Sequence, residues 1–396
     1  MSAAAPADGT GTVSLVAGGP LHRLMLRLGL GDADFGGFGK RMVLLVALLW
    51  APLLVLSLVD GRAWSGARLP FLQDVDTLLR YLVALPMLVF AERILHMRST
   101  VALGKFHERG LVPDARRADF DHIVASTRRW LASPAVEIVL LAFVYLLGIR
   151  VIWLQVSALD VDTWYGTVRD GLFLPTLAGH WMQWVSVPLL QFIILRWYYR
   201  LLMWAVLMYR LSRLGLRLEP LHPDQAGGLG FLSQLTLAFG PLLVAQGTLA
   251  AAWIAGQILY SGATLPSFRV DLAAATILSL AFVLAPLLAF SPALAAAKRV
   301  GLSDYGALAC RYASEFNHKW RGTNARDGAN PLGDADFQSL ADLGNAYSTL
   351  AGMRVVPFGT RTVIKLAVAF LAPVAPLSLT MLSADELLGR ALELLL

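Results

Sequence analysis

Long apolar stretches alternate with short polar connections along most of this chain. Seven of them come close to or exceed the roughly 20 helical residues that cross the hydrocarbon core of a bilayer. They cover residues 41–59, 78–95, 136–156, 183–207, 235–260, 272–296 and 362–382. The pattern predicts an all-α fold, a polytopic transmembrane helix bundle of about seven spans. The last span is the weakest, because Lys365, Pro373 and Pro376 interrupt it.

The distribution of Lys and Arg predicts the orientation of the bundle. With the N terminus in the cytoplasm, about 23 of these residues fall in cytoplasmic segments and about five in outer ones, as the positive-inside rule requires. The outer ones are Arg62, Arg68, Arg169, Arg269 and Arg390. We therefore expect a disordered or amphipathic cytoplasmic segment over 1–40, a transmembrane bundle over 41–297, and a last span with an outer C-terminal segment over 362–396.

The largest polar section, residues 298–361, has the pattern of a small cytoplasmic helical hairpin. Ser303 can cap a first helix, and a loop rich in Gly, Asn and Asp over 322–334 leads into a second. Each helix carries an apolar stripe, which includes Tyr312 and Phe316 in the first and Phe337 in the second. The stripes either pack against each other or the membrane, or form a surface for a homo-oligomer or a partner.

Composition supports a membrane location and limits the chemistry. Hydrophobic residues make up 57% of the chain and charged residues 15%, against about 25% charged in soluble domains. The single Cys310 and the absence of CxxC and HExxH patterns give no support for a metal, a cofactor or an enzyme. The 33 Lys and Arg outnumber 27 Asp and Glu, but they flank the spans. This argues against nucleic acid and predicts contact with anionic membrane lipids.

The fourth span and its continuation carry five arginines. At 100° per residue, Arg196, Arg200, Arg210 and Arg217 lie within an arc of about 100°, and Arg213 lies about 40° outside it. A guanidinium group at membrane depth is costly and usually faces protein or water, which makes the first two the stronger candidates for a site. The other three lie past the span, where the positive-inside rule explains them.

The surroundings of Arg196 and Arg200 remain open at this level. They contact water, lipid or a carboxylate such as Glu92 or Glu137. In the fifth span, polar and aromatic side chains share a second face that either lines a pore or joins helices through hydrogen bonds, while Gly247 lies on a small-residue face suited to close helix contact.

Two connections add candidate surfaces. The basic segment 97–134 predicts a helix after Pro113, which either lies on an anionic leaflet or packs on the bundle. Further along, Pro220 and Pro223 hold His222 in a rigid turn, and Asp224 can cap the residues after it. The glycines that follow allow sharp bends and leave free amides that would suit a phosphate, a carboxylate or a lipid headgroup. The alternative for this segment is a tight turn between helices.

Three stretches carry a resemblance that covers nearly the whole chain: RWYYR at 196–200, LHPDQAGGLGF at 221–231 and SLADLGNAYSTLAGMRVVPF at 339–358. They resemble signature segments of an uncharacterised family of bacterial polytopic inner-membrane proteins. The resemblance implies a multi-pass location in the bacterial inner membrane. It implies no activity.

Two functions follow as hypotheses. The first is a pore or carrier for an anionic small solute, and the alternative is a non-transporting scaffold or sensor that binds anionic lipid and meets a partner through its hairpin. The predicted ligand-binding residues are Arg196, Arg200, Arg210, Arg213, Arg217, His222, Asp224, Gly227, Gly228 and Gly230, and the pore-lining candidates are Gln246, Trp253 and Gln257.

Overall fold

A computed structural model of the protein describes residues 37–148, 162–169, 172–321 and 334–381, together with positions 20 and 29. Helices dominate these residues, so the all-α prediction is confirmed. A short antiparallel pair of strands, β1 (Gly166–Arg169) and β2 (Leu172–Pro175), is a local addition that the apolar pattern did not indicate.

The first half of the chain forms three long helical units. The first consists of α1 (Phe38–Leu49) and α2 (Ala51–Val59). The second runs from α3 (Val75–Leu79) through a π-helical turn (Arg80–Ala84) into α4 (Leu85–Glu108). The third consists of α5 (Arg117–Leu131) and α6 (Pro134–Phe143), which continues in a π-helical turn (Val144–Gly148) and is bent by 42° relative to α5.

The second half begins with α7 (Leu177–Trp181), which passes through a π-helical turn (Met182–Ser186) into α8 (Val187–Ser212). Next come α9 (Phe231–Thr236), α10 (Gly240–Ser261), α11 (Arg269–Leu284) and α12 (Ser291–Arg321). The chain ends, as far as it is described, with α13 (Ala335–Ala351), α14 (Thr360–Leu371) and a 3₁₀ segment (Ala375–Met381) bent by 56° from α14.

Four helical units of the described chain are long and apolar enough to cross a membrane, or up to six if each bent pair is one span. The four are Phe38–Val59, Leu177–Ser212, Phe231–Ser261 and Leu265–Arg321. These are the helices of an integral membrane protein, but the count of seven spans is not confirmed. The predicted span 78–95 is helical yet contains Arg80, Glu92 and Arg93, and part of 136–156 lies outside the described residues.

Local sequence explains where several helices begin and end. The Asp74 carboxylate accepts a hydrogen bond from the Thr77 amide and caps α3, and the Thr176 hydroxyl accepts one from Gly179 and caps α7. Pro188 follows the π-helical turn Met182–Ser186 inside the continuous unit Leu177–Ser212, and such a turn is a common local adjustment to the missing N–H of a proline. Gly262 ends α10 with a left-handed φ of 67°.

The described residues share one continuous hydrophobic core, in which Trp164, Trp197 and Trp204 are among the largest fully buried side chains. At the end of the bundle that carries the strand pair, the Trp164 indole N–H donates to the Asp74 carboxylate at 2.9 Å and its ring meets Phe71 edge-on at 4.9 Å. These contacts close that end of the bundle over the start of α3.

The hairpin differs from the prediction at its beginning. Ser303 does not start a helix, because α12 runs unbroken from the membrane segment through this position. The Ala-rich sequence before Ser303 favours helix, so no cap is needed there. Beyond it, α13 packs back along α12, with Phe316 and Phe337 edge-to-face at 4.9 Å. Of the predicted loop 322–334, residues 322–333 lie outside the described residues.

Candidate functional site

Arg196 and Arg200 lie one turn apart on α8 and are buried, with 8% and 5% of their surfaces exposed. Nη1 of Arg200 donates to Oε1 of Glu92 on α4 at 2.7 Å. Nε of Arg196 lies 3.2 Å from Oε1 of Glu137 on α6, and its Nη1 lies 3.7 Å from Glu92. Of the three surroundings that the sequence allows for Arg196 and Arg200, namely water, lipid or a carboxylate, the structure shows carboxylates.

A third arginine joins this group. Nη1 of Arg41, in the first turn of α1, lies 3.6 Å from Oε2 of Glu92. Sequence reasoning missed it because a basic residue at the start of a span is what the positive-inside rule predicts. A signal was present, since Arg41 shares the four-residue spacing of the buried Leu45, Leu49 and Leu53 and therefore lies on their face. We call Arg41, Glu92, Glu137, Arg196 and Arg200 the ionic cluster.

The ionic cluster joins four helical units at one depth. Arg41 and Glu137 lie in the first turns of α1 and α6, whereas Glu92 and Arg200 lie in the later halves of the predicted spans 78–95 and 183–207. Such contacts require neighbouring units to run in opposite directions. On the predicted topology, the cluster therefore lies in the cytoplasmic half of the membrane.

The space beside the ionic cluster is small. A cavity of about 10 Å³ is lined by Glu137, Arg196, Arg200 and neighbouring side chains, which is room for about one water molecule. Three guanidinium groups face two carboxylates, so the cluster has one positive charge more than it has negative when all are ionised. The positive charges of Arg196 and Arg200 are therefore largely neutralised by carboxylates of the protein itself.

The three arginines further along the chain, Arg210, Arg213 and Arg217, have different surroundings. Arg210 lies ten residues beyond Arg200, about 15 Å further along the helix, and its Nη1 donates to the Ser126 hydroxyl on α5 at 3.1 Å. Arg213 lies over the ring of Tyr209 at 5.8 Å. Within the described chain, neither forms an ion pair with a carboxylate. Arg217 is exposed, and its backbone N–H donates to Leu111 O at 2.8 Å.

Two adjoining hollows meet at Arg210. The first, about 320 Å³, is lined by Asp119, His122, Ile123, Tyr209, Arg210, Arg213 and Leu214. The second, about 310 Å³, is lined by Thr127, Trp130, Val136, Tyr199, Met203, Val206 and Arg210. They follow the junction of α8 with α5 and α6, and we call them together the α8 groove. Helix α5 thus packs on the bundle, with Phe120 and Val124 buried and Trp130 exposed.

The segment after His222 folds around its own carboxylate. The amides of Ala226, Gly228 and Gly230 donate to Asp224 at 2.9, 3.1 and 2.9 Å. These are amides that we expected to be free for an external anion, and Asp224 occupies them. A Cβ on Gly230 would lie 2.8 Å from that of Asp224, and Gly227 and Gly228 have left-handed φ values of 62° and 92°. The glycines are therefore required by this internal anion site.

Two arginines tie the segment to its surroundings. Arg109, at the end of α4, donates through Nη1 to Gly228 O at 2.8 Å and to Asp224 Oδ2 at 3.3 Å. Arg354 donates through Nη2 to Asp224 O at 2.9 Å and through its backbone N–H to Gln225 O at 2.8 Å. We call these contacts the Asp224 junction. Neither arginine was predicted, although Arg354 lies within the third resemblance segment.

Charge and burial act against each other at Asp224. Burial raises the pKa of Asp224. The three amide hydrogen bonds and the nearby His222 lower it by more than burial raises it, so the net pKa is below the ordinary 3.8. Nδ1 of His222 lies 3.0 Å from Asp224 Oδ1 and 3.2 Å from the Asp224 amide. A protonated imidazole can donate to the first, and a neutral one can accept from the second.

The pore-lining candidates of the fifth span, Gln246, Trp253 and Gln257, take no part in the ion pairs of the ionic cluster. Gln246 Nε2 lies 3.5 Å from the Tyr198 hydroxyl, Trp253 is 50% exposed with its ring against Phe268, and the backbone oxygen of Gln257 accepts from Ala263 at the end of α10. A pore-lining role for them stays a prediction. The small-residue face that includes Gly247 packs closely, because a Cβ on Gly247 would lie 1.8 Å from Phe370 O on α14.

The described residues contain no group of three or more His, Cys, Asp or Glu side chains that could hold a metal ion. Comparisons with protein-family models, with curated proteins and with solved structures found no match. The functional argument therefore rests on the ionic cluster, the α8 groove and the Asp224 junction.

Proposed function

We propose that this protein is a multi-pass component of the bacterial inner membrane that does not itself carry a solute. It acts as a scaffold or sensor, binding anionic lipid at its cytoplasmic face and a partner through the α12–α13 hairpin. The observation that carries this proposal is Glu92, whose carboxylate contacts Arg200 at 2.7 Å and lies within 3.7 Å of Arg41 and Arg196. The charges that suggested an anion pathway are met by the protein's own acids.

The size of the space around these charges supports the same conclusion. A cavity of about 10 Å³ is far below the roughly 300 Å³ of ordinary ligand pockets. The larger hollows lie at Arg210 and Arg213, at the cytoplasmic end of α8. Anionic lipid headgroups are found at that level of the inner leaflet.

We also propose the seven-span topology with a cytoplasmic N terminus. On this topology the seven crossings would be the four long apolar units, the two bent pairs and the helical stretch 75–108. The charges in that helix do not argue against a crossing, since Glu92 is buried against arginines and Asp76 pairs with Arg80 at 2.5 Å. The resemblance to inner-membrane proteins supports the location.

An anion pore or carrier is the second candidate, favoured by the one excess positive charge of the ionic cluster. In that function Arg196 and Arg200 would exchange Glu92 and Glu137 for the solute. Such an exchange requires a second arrangement of α4, α6 and α8, because the present one leaves space for about one water.

Flux measurements on purified protein in liposomes separate the two functions. Chloride, inorganic phosphate and acetate serve as probes, with wild type compared with the Arg196→Gln/Arg200→Gln double variant and with protein-free liposomes. We expect all three preparations to show the same flux. An anion flux through wild type that the double variant lacks would contradict the scaffold proposal and establish a carrier.

A further inference from the structure

The α8 groove combines a basic end with a long apolar trough, and this combination fits one kind of ligand. We propose that it binds one anionic phospholipid of the inner leaflet, with the phosphate at Arg210 and Arg213 and one acyl chain along Tyr199, Met203 and Val206. This site rests on the proposed function and deepens it by naming the lipid-binding residues.

The basic end of the α8 groove is suited to a phosphate. Arg210 and Arg213 are exposed toward the hollow they line, and Arg210 is held by its hydrogen bond to Ser126. Guanidinium groups bind phosphate oxygens through paired, charge-assisted hydrogen bonds. Asp119 lines the same hollow, but its carboxylate is engaged by Arg116 at 3.0 Å. The local field is therefore positive.

The apolar end has the direction and length of an acyl chain. Tyr199, Met203, Val206 and Arg210 are separated by four, three and four residues and so share an arc of about 60° on α8. Eleven residues of helix extend about 16 Å. Half of a hydrocarbon core about 30 Å thick is about 15 Å. Since Arg210 itself lies just outside the hydrocarbon core, the trough follows an acyl chain through most, but not all, of the inner leaflet.

The depth of the site agrees with this assignment. Arg210 lies three residues past the predicted span 183–207, about 5 Å beyond the hydrocarbon core. That is the level of lipid phosphates, and anionic lipids are concentrated on this side of the membrane. A free anion would explain the arginines but not the trough, and an apolar helix of a partner would explain the trough but not the arginines.

Native mass spectrometry of the detergent-solubilised protein tests the headgroup contacts. Dioleoyl phosphatidylglycerol is titrated into wild type and into the Arg210→Gln/Arg213→Gln variant. Because each arginine makes charge-assisted hydrogen bonds, we expect the variant to bind the first lipid about tenfold or more weakly. The matched control is Arg128→Gln/Arg129→Gln, which removes the same charge from exposed positions of α5 and should bind as wild type does.

A second pair of variants tests the acyl chain without touching either arginine. Val206→Trp fills the apolar hollow, whereas Ile138→Trp places the same ring on the outward face of α6, where Ile138 is 65% exposed. We expect only Val206→Trp to weaken phosphatidylglycerol binding. Circular dichroism of all variants checks that the helical content is retained, and this arm stands even if the double arginine variant does not fold.

Several outcomes would overturn the lipid site. Equal losses in the two double variants would mean a general effect of surface charge, and equal binding of phosphatidylcholine would remove the role of the anion. Displacement of the lipid by millimolar inorganic phosphate, with Val206→Trp unaffected, would indicate a free-anion site. A dimer mass that Val206→Trp abolishes would indicate a second copy in the groove. None of these depends on the flux result, so the two proposals fail separately.

Discussion

The arginines of α8 occur in two contrasting surroundings. Arg196 and Arg200 are buried and lie against Glu92 and Glu137, and the space beside them holds about one water. Arg210, two to three turns further on, is exposed and donates to a neutral hydroxyl at the edge of a groove. Arginines on one helix are therefore buried in ion pairs at one level and accessible to a ligand at another.

The neighbouring helices cause the difference. Removing a charge from water costs several kcal/mol, so a buried guanidinium needs an acid within contact distance. Helices α4 and α6 supply Glu92 and Glu137 at that depth, whereas α5 presents Ser126 to Arg210. An arginine in a membrane helix is thus a candidate for ligand binding only after its protein partners are known.

The closed side of this comparison predicts the largest effect. Replacing Glu92 by Gln leaves three buried guanidinium groups with only Glu137 as an acid, and we expect the free energy of unfolding to fall by about 3–5 kcal/mol. Denaturation in mixed micelles, followed by circular dichroism, measures this loss. For the exposed Arg210 we expect almost no effect. The substitution Arg210→Gln should change the free energy of unfolding by no more than about 0.5 kcal/mol.

A control on the same helix separates burial from charge. Glu108→Gln removes an exposed carboxylate at the end of α4 and should likewise stay within about 0.5 kcal/mol. Comparable losses for Glu92→Gln and Glu108→Gln would mean that the contrast between the two regions is not one of burial.

The close packing of the bundle predicts an intermediate effect. A Cβ at position 247 would overlap the backbone oxygen of Phe370 on α14, so Gly247→Ala must push two helices apart. We expect a loss of about 1–3 kcal/mol. Gly256→Ala, on the same helix with nothing within 4 Å of its Cβ, should be neutral or stabilise by up to about 1 kcal/mol. Equal behaviour of the two alanines would contradict the tight contact between α10 and α14.

Much of this architecture could be predicted from periodicity and charge. The all-α fold follows from the apolar segments, and carboxylates such as Glu92 and Glu137 are one of the three surroundings that the sequence allows for Arg196 and Arg200, beside water and lipid. The small-residue face around Gly247 indicated close helix contact, which α14 provides. The fold class and the small-residue face depend on composition within one segment, where the sequence is informative.

The missing parts depend on which segments meet. In the ionic cluster, Arg41 lies more than 150 residues before Arg196 along the chain. At the Asp224 junction, Arg109 lies 115 residues before Asp224 and Arg354 lies 130 residues after it. No local pattern selects such distant partners. The amides after Asp224 looked free because the carboxylate that occupies them belongs to the same turn. A helix end rich in glycine is an anion site only if no internal acid already fills it.

The Asp224 junction lies between the two extremes and predicts the smallest of the three losses. Its carboxylate is mostly buried but is met by amides and by the partly exposed Arg109. Asp224→Asn should cost about 1 kcal/mol at pH 7, the usual loss for a capping acid.

Because the folded pKa of Asp224 lies below its ordinary 3.8, this contribution is fully present above that pH and disappears as the pH falls through the folded pKa. The stability difference between wild type and Asp224→Asn, measured by denaturation from pH 7 downward, should therefore begin to shrink below about pH 4. Asp304→Asn, an exposed acid on α12, should show neither the loss nor this pH dependence, and a constant Asp224→Asn difference down to pH 2 would show that the carboxylate's charge does not stabilise the junction.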